Sequence, residues 1–122
     1  MKKIALFLTV FSISTLLYCQ ESLTKKQERV QHAVVKLFDA LSNRDSISLK
    51  AYSTTDITLY EYGQIWNMDT LILKAITLNQ SADFKRTNSF EFINTMVDKT
   101  TASVTNRLQS VIVKDGKQVT SQ

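Results

Sequence analysis

Few side chains in this 122-residue chain have both the type and the setting to do chemistry. Glu61 comes first. It lies in an alternating segment with Ile57 and Leu59 on its own parity, and a carboxylate carried onto a buried sheet face has a raised pKa that suits proton transfer. The plainer reading is a rim carboxylate, or the partner of a base such as Arg86 or Arg107; structural pairs of that kind commonly perturb acids. Tyr60, Tyr62 and Trp66 share the opposite parity. With Phe92 in a later segment they are the candidate ligand contacts. Such an aromatic row lines a pocket, packs in a core, or meets a second copy at an interface. If the Ile57–Leu59 face meets the helices, the tyrosines look outward and the interface reading gains.

Other chemistries find no footing. His32 is the one histidine and lies beside an apolar stripe rather than in a motif, so it reads as a surface or packing residue. Without an acid–serine or acid–cysteine partner it cannot complete a nucleophilic triad, and without further ligands it does not make a metal site. Gly63 and Gly116 are the only glycines, which rules out a glycine-rich phosphate loop. Asp39, Asp45, Asp56 and Asp69 each stand where a turn or a helix cap explains them. No metal and no cofactor is expected.

The elements that must position these residues begin after a leader. Lys2 and Lys3 precede an uncharged run from Ile4 to Tyr18, the layout of a secretion signal, and that run is shorter than the roughly 20 residues a membrane span needs. Residues 1–19 are therefore read as a signal peptide. Cleavage after Cys19 would leave Gln20 as the mature N-terminus; a lipoprotein would instead be cut before Cys19, with Tyr18 as the preceding residue and a lipid on the sulfur. Side-chain size favours the first. In that case the protein is periplasmic or secreted; it touches a membrane only in the alternative, with Cys19 lipidated. Cys19 is the sole cysteine, so no disulfide is available. The net charge of +4 falls to about +2 once Lys2 and Lys3 leave. The one local basic cluster, Lys25, Lys26 and Arg29, reads as a solvated helix face and not as the clustered patch a nucleic acid requires.

From Ser22 to Leu41, Val30, Ala33, Val34, Leu37, Phe38 and Leu41 recur at helical spacing, and Thr24 with Gln27 fits a capping box. Asp45 caps a short second helix carrying Ile47, Leu49 and Tyr52. Asp56–Trp66 reads as one strand, with Gly63 as a bulge or as its end. Asn67 caps a helix bearing Met68, Leu71, Ile72, Ala75 and Ile76. Two long strands follow, Phe84–Val97 and Ala102–Val113. In the first, Phe90, Phe92 and Met96 share one parity, while Ile93 and Val97 share the other. Asp115-Gly116 then predicts a tight hairpin leading into a polar strand from Lys117.

This order resembles the nuclear transport factor 2-like fold, the cone-shaped α+β domain shared with SnoaL-like cyclases and ketosteroid isomerases. The stretch from Val35 to Asp45 resembles that family's first helix and turn. Residues 56–63 resemble its first strand, residues 65–71 the start of its third helix, and residues 84–92 its next strand in exported bacterial members. The resemblance covers about residues 24–122 and implies helices packed on a curved antiparallel sheet around a ligand cavity, with a homodimer when the chain is full length. Such domains usually finish with a further pair of long strands, so a C-terminal truncation is expected. The family's catalytic groups include some on those late strands, and none carries over here. The expectation is an exported domain spanning residues 20–122 that binds a small apolar molecule or a partner. Two alternatives stand beside it: an isomerase- or cyclase-type enzyme with Glu61 in proton transfer, and a structural homodimer module.

Overall fold

The computed structural model describes residues 22–122. The proposed signal peptide and Cys19 lie outside the described residues. The described chain is α+β, with three helices, a small hairpin and a three-stranded antiparallel sheet. No helix among the described residues is long and apolar enough to cross a membrane.

Helix α1 (Lys25–Ser42) starts where the capping box places it. Thr24 Oγ1 accepts from the Gln27 amide, and the Gln27 side chain accepts from the Thr24 amide, which satisfies two of the N–H groups that every helix start leaves open. Arg44 then takes a left-handed φ of 54°. Its guanidinium donates to the carbonyls of Asn79 and Ser81 and lies 5.1 Å from the Phe84 ring centroid. This one side chain fastens the first helical turn-around to the loop before the sheet. Asp45 caps α2 (Ser46–Ala51) by accepting from the amides of Ile47 and Ser48. Hydrogen bonds from the Ser48 hydroxyl and amide hold the Asp45 carboxyl below its ordinary range.

Residues 56–66 do not form a single strand. They fold back as a hairpin of β1 (Leu59–Glu61) and β2 (Gln64–Trp66) around Tyr62-Gly63. Both turn residues have positive φ, 50° and 73°, the requirement of the two-residue turn whose twist matches antiparallel strands. The reversal corrects the parity expected for this segment. Leu59 pairs with Trp66 on the inner side, and Tyr60 pairs with Ile65 on the outer side, whereas a continuous strand would set Leu59 and Trp66 on opposite faces.

Asn67 caps α3 (Met68–Ile72). The chain then widens into a π-helical turn over Leu73–Thr77, with the Leu78 amide donating to the Leu73 carbonyl at 2.9 Å. Periodicity could not reveal that insertion, because Ala75 and Ile76 still reach the core.

The main sheet runs β3 (Lys85–Val97), β4 (Ala102–Lys114), β5 (Lys117–Ser121), in that spatial order. Ile93 is an extra residue that shifts the β3–β4 register between Phe92 and Asn94, and such a bulge bends the strand and switches its facing. The parity expected for β3 is corrected there. Phe90 and Phe92 stay on the helix side, but beyond the bulge Thr95 is buried while Met96 is turned out. Asp115 and Gly116, with φ of 52° and 72°, make the β4–β5 turn.

The apolar core sits at the helical end. Ala40 and Leu41 of α1, Leu49 of α2, and Met68 and Leu71 of α3 are buried, with Ile57, Leu59 and Trp66 packed against them. Leu49 is fully enclosed. Replacing it by alanine is expected to cost about 2–5 kcal/mol, as cavity formation in a closed core does; chemical denaturation of Leu49→Ala beside the unmodified chain measures this.

Candidate functional site

Helix α1 is tied to β3 by polar contacts near both of its ends. At one end Gln27 Nε2 donates to the Thr95 carbonyl at 2.8 Å, and Gln31 Nε2 donates to Thr95 Oγ1 at 2.9 Å. At the other, Asn88 Nδ2 donates to Ser42 Oγ at 2.8 Å. Between them the Phe38 ring meets Phe90 edge-on at 5.5 Å, and Phe90 stacks on Phe92 at 5.7 Å. This clamp closes one side of the helix–sheet interface and leaves the other open. The opening is a cleft of about 650 Å³, within the size range of small-molecule sites. Leu37 and Leu41 of α1 line one wall, Leu59 and Trp66 of the hairpin another, and Leu108 and Ile112 of β4 the sheet side.

A polar cluster reaches the apolar lining through Arg86 and Ser110, with Asn88 behind them. Asn88 Oδ1 accepts from Arg86 Nε at 3.0 Å and from Ser110 Oγ at 2.8 Å, while Arg86 Nη2 donates to Ser110 Oγ at 3.2 Å. Ser110 is buried and Arg86 half-buried. The Arg86 guanidinium lies 5.6 Å from the Phe38 ring centroid, a geometry in which the ring face favours a cation. Desolvation pulls the Arg86 pKa down; the nearby Glu61 and Tyr62 act in the opposite sense. No carboxylate among the described residues lies at ion-pairing distance from Arg86.

The residues singled out from the sequence fall in three places. Glu61, Tyr62 and Trp66 line the cleft. Trp66 is held there by Lys74, whose Nζ lies 4.6 Å from the indole centroid, and by Gln64. Glu61 and Tyr62 are exposed at the hairpin tip, so Glu61 lacks the burial that would suit it to proton transfer. It makes no ion pair with Arg86 or Arg107. Arg107 instead bonds Glu91, its cross-strand neighbour, at 2.7 Å on the exposed side of the sheet. Tyr60 is 78% exposed and Ile65 72%, which puts Tyr60 outside the cleft. Phe92 lies away from the cleft as well, in a separate hollow with Gln27, Gln31 and Thr95. His32 is exposed beside Lys25, Glu28 and Arg29.

In the sequence Asn88 and Ser110 do not stand out, and Arg86 figures only as a partner for Glu61. A signal was there: Arg86 and Asn88 share the parity of Phe90 and Phe92, and polar residues on an apolar strand face either pair with one another or meet a ligand. No protein-family model, curated protein or solved structure matches this chain.

Strand β5 contributes Val119 and Ser121 to the cleft, and Asp83 holds its turn. The Asp83 carboxylate accepts from the Ser81 hydroxyl and from the amides of Gly116 and Asp115. These bonds, Ser81 first, lower its pKa from 3.8 to about 2. A depressed folded-state pKa means the contribution is complete above 3.8 and is lost as pH falls toward 2. Protection of the Gly116 amide, its exchange rate set against that of an unstructured peptide at the same pH, is accordingly expected to fall as pH drops from 3.8 toward 2, and Asp83→Asn is expected to flatten the response; NMR exchange measured against pH tests both.

Proposed function

We propose that residues 20–122 form an exported small-ligand-binding domain, built on the plan of nuclear transport factor 2-like proteins, that takes an apolar molecule into the cleft beneath α1. One observation carries this reading. The inner side of the sheet, with Leu108, Ile112 and Val119, faces Leu37 and Leu41 across open space instead of being sealed in the core. Exposed apolar surface of that extent is costly in water, and a bound apolar molecule would remove the cost. The order of elements (two helices, a short β segment, a third helix, then long antiparallel strands) supports the proposed plan. Glu61 borders the same cleft, but its exposure withholds the desolvation that proton transfer would need, so binding is preferred to isomerase- or cyclase-type turnover. Tyr60 and Ile65, exposed neighbours across the hairpin, would give a homodimer an apolar contact.

Trp66 is the only tryptophan, so its emission reports on the cleft. Titration with the neutral dye Nile red is expected to change Trp66 fluorescence and shift the dye's emission to the blue. Ile112→Asp should abolish both effects. Unchanged Trp66 emission up to the solubility limit of the dye would refute the reading.

Export rests on the three-zone pattern of residues 1–19. Intact-mass measurement on the protein from a bacterial periplasmic extract is expected to give a chain beginning at Gln20. A lipid-modified Cys19 would indicate membrane anchoring, and retention of Met1 in the cytoplasm would count against export altogether.

A further inference from the structure

Arg86 is an unusual residue to find in an apolar cleft. A half-buried guanidinium is normally matched by a carboxylate, since an unpaired charge removed from water is expensive. Here its hydrogen-bond partners are neutral. Asn88 and Ser110 accept from Arg86, and Phe38 lies beside the guanidinium. A guanidinium has five N–H donors in a planar fork. Two are used, by Asn88 Oδ1 and Ser110 Oγ, which leaves three with no acceptor among the described residues; the Nη1 group, which carries two of them, is open to solvent and so to a ligand. Arg86 lines the cleft that Trp66 and Leu108 also line. Glu61 bears on it electrostatically from the exposed hairpin tip without reaching ion-pair distance, and Asp39, which shares a separate hollow with Arg86, makes no ion pair with it either.

We propose that Arg86, held in orientation by Asn88 and Ser110, binds the carboxylate of an amphipathic ligand whose apolar stem lies along Leu37, Leu41, Leu108 and Ile112. This deepens the cleft reading above and rests on it. The chemistry fits at each end. The free side of the guanidinium fork matches a carboxylate in two-point geometry, and its used side is fixed by the two hydrogen bonds, so little rotamer freedom is lost on binding. The Phe38 ring, 5.6 Å from the guanidinium, favours the cation at that position. The class of ligand is a medium-chain or cyclic apolar carboxylate.

The test compares two ligands of equal chain length, octanoate and octanol, with Trp66 emission as the readout. The purified chain is expected to bind octanoate at least about tenfold more tightly than octanol, the minimum a charged hydrogen bond supplies. Added salt should weaken octanoate and leave octanol unchanged. In Arg86→Met the preference should vanish while octanol still binds, which also reports that the cleft is intact. If that variant fails to fold, the ligand preference and its salt dependence in the unmodified chain decide the matter. Equal affinity for both ligands would overturn the assignment of a carboxylate and leave the apolar cleft standing. Preference retained in a folded Arg86→Met would overturn the role of Arg86. Failure of both ligands to move Trp66 would overturn the cleft reading and this inference with it.

Discussion

The side-chain amide of Asn88 is the joint on which the architecture depends. Its oxygen accepts from Arg86 and Ser110, and its nitrogen donates to Ser42 Oγ and, at 3.4 Å, to the Phe38 carbonyl. A single side chain thereby connects β3, β4 and the last turn of α1. Directions within the network are consistent: Ser42 accepts from Asn88 and donates its own hydroxyl to the Phe38 carbonyl at 2.9 Å, while Ser110 accepts from Arg86 and donates to Asn88. A part-buried polar cluster is stabilising only when its buried members are satisfied; Asn88 and Ser110 are paired, the unused Nη1 group of Arg86 stays open to solvent, and the one buried side-chain atom without a partner among the described residues is Asn79 Oδ1, elsewhere in the fold. The same bonds that seat the helix also aim Arg86.

The position of the core follows from this. Packing is tight where α1, α2 and α3 converge on Leu49, and the hairpin closes over it through Leu59 and Trp66. Beyond that point α1 is held to β3 mainly by Phe38 and Phe90 and by hydrogen bonds at Thr95 and Asn88. The helix therefore lies chiefly over β3 and reaches only the margin of β4. The inward apolar residues of β4 and β5 are left to form a cleft. Stability is concentrated at one end and accessible surface at the other, the usual division between a rigid scaffold and the site it presents.

Two local reversals of direction decide which side chains meet in the cleft. The turn at Tyr62-Gly63 doubles residues 59–66 back on themselves and sets Trp66 beside Leu59 while turning Tyr60 and Ile65 away. The bulge at Ile93 exchanges the facing of the second half of β3, so that Thr95, not Met96, meets α1. Each inserts a break into an alternation that otherwise continues along the sequence. A facing assignment made from parity holds only as far as the next break.

Much of the scaffold was legible before any coordinates. The capping box at Thr24 and Gln27, the caps at Asp45 and Asn67, the helical stripe of α1 and the Asp115-Gly116 turn all depend on contacts within a few residues, and all occur as the sequence implies. Local chemistry is enough to specify them. The candidate site was legible only in part. Trp66 could be chosen as an aromatic in a β segment, but its neighbours depended on the register of a hairpin. Glu61 stood out by type, yet its exposure at a tip depended on where the chain turned. Arg86, Asn88 and Ser110 looked ordinary in the sequence because their meaning lies in meeting one another across two strands, 24 residues apart at the ends. The sequence by itself determined the helix caps, the stripe of α1, the two long strands and the turn that joins β4 to β5, because these depend on neighbours within a few residues. Only the tertiary structure decided that a cation would stand in an apolar cleft with neutral partners, since burial and pairing are properties of what surrounds a residue.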